Sequence, residues 1–238
     1  MIPLIPNTLS RHVEAELMDD PALRSDLHRV ALRGLARINT MSRSAACLYR
    51  SLTRLIAHDH RKPIRVLDVA CGGGDVAMRI EKISRHQGVT MHVDGCDISP
   101  TAIGQARRCA ERSGSHARFF QCDALRGPLP AGYHAIISNL FLHHLTDEQA
   151  VGLLSRMADA TEAIVMNDLR RCRLGYAAAG LGTRLLSRSR IVHTDGPRSV
   201  QAAFTPAEAF VLADRAGLRG ARVTRLFPFR WLLTWSRK

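Results

Sequence analysis

"VLDVACGGGDVAMRI", residues 66–80, decides the fold of this chain. Aliphatic residues run into Asp68 and Val69, three glycines follow (Gly72, Gly73, Gly74), and apolar residues then return at helical spacing. A strand, a glycine turn and a helix in this order bring backbone close to a ligand at the carboxyl end of a strand, where free helix N–H groups also point. Gly72-x-Gly74-x-x-Ala77 matches the dinucleotide fingerprint, but that pattern alone is too short to name the ligand. No phosphate-loop motif with its Lys-Ser/Thr ending is present. Charge discriminates further. Asp68 closes the strand and Asp75 opens the helix, so a pyrophosphate would meet two carboxylates, whereas a cationic ligand is well matched.

Downstream, apolar runs at 65–70, 90–96, 117–121, 133–139 and 162–167 alternate with helical patterns at 75–86, 99–113 and 147–159. This alternation predicts a parallel sheet covered on both faces, with right-handed connections. "GARVTRLFPFRWLLTW", residues 220–235, reads as two strands hinged at Pro228, too closely joined to be parallel. Thr205 and Pro206 open a helix before them. Upstream, "SRHVEAELMDD" (10–20) predicts a helix stopping at Pro21, and 25–58 a helical stretch capped by Ser25 and broken at "NTMSRS". Residues 169–203 form a basic segment rich in small residues.

With 238 residues, 46% hydrophobic, the chain can bury one sizeable core. Neither a signal peptide nor a membrane span is legible. Six cysteines stand singly, which predicts a reducing cytoplasmic setting and no structural zinc or other metal. The net charge of +13 suits nucleic acid, an anionic membrane surface or an anionic substrate. Its arginines are dispersed, however, and aromatics make up only 5%, which argues against nucleic acid; an arginine-rich coding bias produces the same charge.

Two further acids end strands. Asp97 closes "HVDGCDIS" 25 residues after Gly72, the spacing of a carboxylate that accepts from ribose hydroxyls, and Asp123 closes "ARFFQCDAL". Either acid alone also reads as a helix cap or turn residue. Together, "VLDVACGGG", "VDGCDIS", "FFQCDAL" and "YHAIISNLFLHHL" resemble, in order and spacing, the successive motifs of class I S-adenosylmethionine-dependent methyltransferases over residues 64–168. The resemblance implies an α/β, Rossmann-like, seven-stranded mostly parallel sheet with an antiparallel C-terminal strand, plus an N-terminal helical lid over 1–60. Residues 61–238 would then be the catalytic domain, with 169–203 an acceptor-shaping insertion. For S-adenosylmethionine, it implies Asp68, Gly72 and Gly74 at the methionine end, with Ala70 standing where the family often has glycine. Asp97 would take the ribose, Ile98 the adenine face, Asp123 and Ala124 the adenine edge, and Asn139 would lie beside the sulfonium. A fainter likeness of "RINTMSRSAACLYRSL" to the lid of quinone-methylating members places Asn39 and Ser42 near the cofactor; an ordinary interhelical turn is the alternative.

An oxygen nucleophile must lose a proton, and histidine is suited to take it. The candidates are His143 and His144, after the fourth strand, and His193 in "RIVHTDGPRS", with Asp195 placed to orient its ring if that segment is extended. Packing residues and a polar turn before Pro197 are the alternatives. "SNLF" replaces the element that amino-methylating nucleic-acid enzymes carry there, and the flanking segments suit an apolar pocket. "ELMDDPAL", "ALRGLARIN", "NDLRR" and "HTDGPRS" are similar to bacterial methyltransferases that accompany type III polyketide synthases. That likeness implies O-methylation of a phenolic or enolic small molecule of alkylresorcinol or alkylpyrone type, with C-methylation of a quinone-type ring and RNA methylation as alternatives.

Overall fold

The computed structural model describes residues 8–20, 22–56 and 63–237. Five parallel strands follow the predicted alternation: β1 (Ile64–Val69), β2 (Met91–Asp97), β3 (Phe119–Gln121), β4 (Ala135–Asn139) and β5 (Ala163–Leu169). β6 (Arg222–Leu226) and β7 (Arg230–Ser236) complete the sheet in the order β3-β2-β1-β4-β5-β7-β6. β7 is antiparallel to both β5 and β6, so the tight turn at Pro228 returns the chain beside its own start.

The helices are α1 (Ser25–Met41), α2 (Ser44–Leu55), α3 (Asp75–His86), α4 (Pro100–Ser113), α5 (Asp147–Ala160), α6 (Arg173–Leu186), α7 (Arg190–Ala202) and α8 (Pro206–Arg215). Short 3-10 turns cover Leu17–Asp19 and Leu142–His144. Side-chain caps fix three of the starts. The Ser99 hydroxyl accepts from the Ala102 amide ahead of α4, and Thr146 with Gln149 and Thr205 with Glu208 form capping boxes on α5 and α8. Strand alternation supplies a core on each face: Val66, Ile137 and Val165 meet Leu48, Leu52 and Ile80 on one side, while Leu67, Ile136 and Met166 meet Leu153, Met157 and Trp231 on the other. No helix among the described residues is long and apolar enough to cross a membrane.

Three expectations are corrected. Residues 10–20 are not a helix. Apart from Leu17–Asp19 they run without helical hydrogen bonds, because distant groups take their polar atoms: Leu17 and Met18 amides donate to Asp195 at 3.0 and 3.1 Å, and Arg11 donates to the Ala202 and Leu145 carbonyls. Ser25 is the first residue of α1 rather than its cap, a place held by Arg24 without a capping hydrogen bond. The break at "NTMSRS" falls at Ser42 and Arg43, and α2 stops at Leu55, with 57–58 outside the described residues. Finally, the stretch around His193, read as extended or as a polar turn before Pro197, is helical as α7, with Pro197 inside the helix.

Candidate active site

The glycine turn leaves the carboxyl end of β1. Asp68 pairs in register with Gly95 of β2 and Ile137 of β4, and is 1% exposed. Neither of its carboxylate oxygens has a hydrogen-bond partner. Ala70, Gly72 and Gly74 take φ of 57°, 53° and 74°, so the chain reverses through the left-handed region three times within five residues. At Gly74 space also forbids a side chain, since a Cβ would lie 2.6 Å from the Phe119 ring. The turn is tied to β2: Cys71 donates to the Cys96 carbonyl at 3.0 Å, and Gly72 donates to Asp97 Oδ2 at 2.8 Å. Asp97 Oδ1 accepts from the Ser99 amide at 2.9 Å.

A relay of amides forms the neighbouring wall. Asn39 Nδ2 of α1 donates to Asp75 Oδ2 at 3.3 Å, Asn139 Nδ2 donates to Asn39 Oδ1 at 3.2 Å, and Asn167 Nδ2 donates to Asn139 Oδ1 at 2.6 Å. The structure thus brings together Asp68, Ala70, Gly72, Gly74, Asp75, Asp97, Asn39 and Asn139. Ser42 stays apart: its hydroxyl donates to the Ile38 carbonyl at 2.8 Å and finishes α1. Beyond β3, Asp123 Oδ1 accepts from the Leu125 amide at 2.9 Å, as a turn residue does, and Ala124 is buried. Ile98 remains 60% exposed beside Asp97.

Burial pushes the Asp68 carboxyl well above the usual carboxylate range, and the charges of Asp75 and Asp97 add to it. Burial likewise raises Asp75 and Asp97. Three acids held at such cost are stabilised by a cation that donates hydrogen bonds.

The histidines separate sharply. His143, 3% exposed, has Nδ1 2.6 Å from Asp168 Oδ1, while Asp168 Oδ2 accepts from the His143 amide at 3.1 Å. Its Nε2 lies 3.5 Å from Glu16 Oε1. Burial works against its charge, but Asp168 and Glu16 outweigh it and raise His143 to about 10. Both carboxylates therefore favour the protonated ring of His143. His144 Nδ1 lies 2.9 Å from Asp19 Oδ2, and its Nε2 faces Glu16 Oε2 at 3.9 Å. His193 lies in α7, with Nε2 2.7 Å from the Ser187 carbonyl. Asp195 does not orient it: two residues apart on a helix project to different sides, and Asp195 instead accepts from Leu17 and Met18. Glu16, Asp19, Asn167 and Asp168 were not singled out from the sequence. Asn167 and Asp168 end a strand as Asn139 does, and that position is a signal the sequence carries. Glu16 and Asp19 reach the histidines across more than 120 residues and have no local pattern.

A family model described as a methyltransferase domain matches residues 66–163. Residues 66–163 form a methyltransferase domain. Among curated proteins it is 36% identical over 99 residues to demethylmenaquinone methyltransferase of Thermus thermophilus, a match spanning 41% of this chain and 43% of that protein. It is 25% identical over 199 residues to tRNA 5-carboxymethoxyuridine methyltransferase of Escherichia coli, spanning 76% of this chain and 70% of that one. The fold is that of magnesium protoporphyrin IX methyltransferase from Synechocystis with bound S-adenosylhomocysteine, at a TM-score of 0.56 and 16% identity, over 93% of this chain and 91% of that one. The methyltransferase domain's cofactor fits the unpartnered Asp68 carboxylate on chemical grounds, since S-adenosylmethionine offers a sulfonium and an ammonium group to a pocket of raised acids.

Proposed function

We propose that this protein methylates a hydroxyl oxygen of a phenolic or enolic small molecule, of alkylresorcinol or alkylpyrone type, using S-adenosylmethionine. Bound against the glycine turn, that cofactor supplies a sulfonium methyl group open to in-line displacement. Asp68 is assigned to the cationic methionine end, Asp97 to the ribose hydroxyls, Ile98, Asp123 and Ala124 to the adenine, and Ala70, Gly72 and Gly74 to close backbone approach. Asn39 and Asn139 hold the wall beside the reacting sulfur through their relay to Asp75.

The observation that carries the acceptor reading is the enclosure beyond β4. Residues 8–20 are strapped over α7 and the 3-10 turn by Asp195, Arg11 and Glu16, the last accepting from Ser199, and a covered acceptor side favours a small apolar molecule held away from water. The α1–α2 helices are assigned to a lid and α6–α7 to acceptor shaping. His144 is assigned as the proton-handling residue in this reading: Asp19 takes its Nδ1 side, and Nε2 faces Glu16.

A second reading, C-methylation of a quinol ring, is favoured by the 36% identity over 99 residues to the Thermus enzyme. RNA methylation draws on the similarity to the Escherichia coli enzyme and on Arg29, Arg33, Arg108 and Arg112, which line a cavity of about 350 Å³ between α1 and α4. Incubation with methyl-labelled cofactor and, in separate reactions, an alkylresorcinol, an alkylpyrone, a menaquinol precursor and unmodified tRNA distinguishes them. An O-methyl signal in the product NMR spectrum supports the first reading. Label only on ring carbon, or only in tRNA, overturns it.

A further inference from the structure

Glu16, His143 and His144 present three ligand atoms, one each, within 4.8 Å of one another. Both Nε2 atoms face the Glu16 carboxylate, at 3.5 Å from His143 and 3.9 Å from His144. Those separations are too long for good hydrogen bonds, which lie at about 2.7–3.2 Å. The His143 Nε2–Glu16 Oε1 separation is close to the ligand–ligand edge of a tetrahedral ion, about 3.3 Å for bonds of about 2.0–2.1 Å, and with all three atoms within 4.8 Å a small side-chain rotation brings the third ligand in. The outer contacts follow metal-site rules as well. Each histidine turns Nδ1 to a carboxylate, His143 to Asp168 at 2.6 Å and His144 to Asp19 at 2.9 Å, and this fixes Nε2 as the atom presented inward. Glu16 is oriented by the Ser199 hydroxyl of α7. The side chains are 4%, 18% and 10% exposed for His143, His144 and Glu16, so all three are withdrawn from bulk water.

We propose that Glu16, His143 and His144 bind one divalent transition-metal ion of the Zn²⁺ class. Two imidazoles and a carboxylate are borderline ligands suited to Zn²⁺, Co²⁺ or Fe²⁺ and poorly suited to Ca²⁺ or Mg²⁺, which require oxygen. The ligands come from two segments, the N-terminal strap and the turn after β4, so the ion fastens one to the other. Three protein ligands leave one position for an oxygen ligand, as in catalytic rather than structural zinc sites. An ion held there would act as a Lewis acid that lowers the pKa of an acceptor hydroxyl reaching the open position, and His144 would then be a ligand rather than the base. Ion binding rests on the triad alone, whereas this use of it rests on the proposed acceptor, and the two fail separately.

The test uses untagged full-length protein stripped with a chelator and titrated with Zn²⁺ and Co²⁺ in the absence of cofactor and acceptor. The expected result is one equivalent bound, a rise in Tm, and the intense visible bands of tetrahedral Co²⁺. Glu16→Gln and His144→Ala should abolish stoichiometric binding, and Asp19→Asn, which keeps every ligand, should weaken it about 10- to 100-fold. The exposed His86 is a control, and His86→Ala should retain one equivalent. Absence of stoichiometric binding by the wild-type protein, or binding that survives both Glu16→Gln and His144→Ala, overturns the proposal. Circular dichroism of each variant separates loss of the site from loss of the fold.

Discussion

Replacing Asp68 by alanine should make the ligand-free protein more stable while weakening its hold on the cofactor. Asp68 is 1% exposed and its two oxygens find no partner, and burial with the charges of Asp75 and Asp97 drives its pKa upward. Removing an unsatisfied buried polar group recovers about 1–3 kcal/mol, part of it offset by the small cavity left behind. At about 2–4 °C per kcal/mol for a chain of this size, Tm should rise by roughly 2–10 °C. On the bound side, a charge-assisted hydrogen bond worth about 1.5–3 kcal/mol is lost, so Kd for S-adenosylmethionine should rise roughly 10- to 150-fold. Asp68→Asn should weaken binding comparably but stabilise less, because the amide is still a buried polar group. The pH dependence has a definite sign. A carboxyl whose folded pKa lies above its unfolded value binds protons more tightly when folded, so its favourable contribution is complete below the unfolded value and disappears as pH rises through the folded one. Ligand-free wild type should therefore lose stability over that window, and Asp68→Ala should lose less. Differential scanning calorimetry with and without cofactor, from pH 4 to neutrality at roughly half-unit steps, measures all of this. A lower Tm for Asp68→Ala with unchanged affinity would mean the carboxylate is structural, and the reasoning fails.

Other consequences concern the turn, the strap and the histidine of α7. Ala70 sits at φ 57°, where an L-residue is strained; Ala70→Gly should gain a net of about 0.5–1 kcal/mol after glycine's entropy cost, read as a higher urea midpoint with unchanged slope. Arg171, buried, donates to the Leu9 and Ala203 carbonyls and pairs with Glu208. Arg171→Ala should cost about 1–3 kcal/mol, chiefly through the Leu9 and Ala203 carbonyls it leaves unpaired, and expose residues 8–20 to limited proteolysis well before the rest of the chain. His193→Ala should lose about 1 kcal/mol through its bond to Ser187 yet keep its turnover number; a collapse of kcat in a folded variant would restore His193 as the base.

What the sequence by itself determined is local or periodic. The alternation of strands and helices, the reversal through Gly72 and Gly74, and the caps at Ser99, Thr146 and Thr205 are each specified within a few residues, so the sheet and the cofactor turn are legible in the letters alone. The cluster of Asp68, Asp75 and Asp97 is legible too, because parallel strands deliver their carboxyl ends to one edge. What only the tertiary structure decided depends on which distant group satisfies a given polar atom. "SRHVEAELMDD" has the letters of a helix, but Asp195 takes the amides of Leu17 and Met18, and the segment is drawn across α7 instead. That crossing sets Glu16 against His143 and His144. It leaves His193 to Ser187 and gathers Glu16, His143 and His144 from positions more than 120 residues apart, beyond the reach of any local pattern.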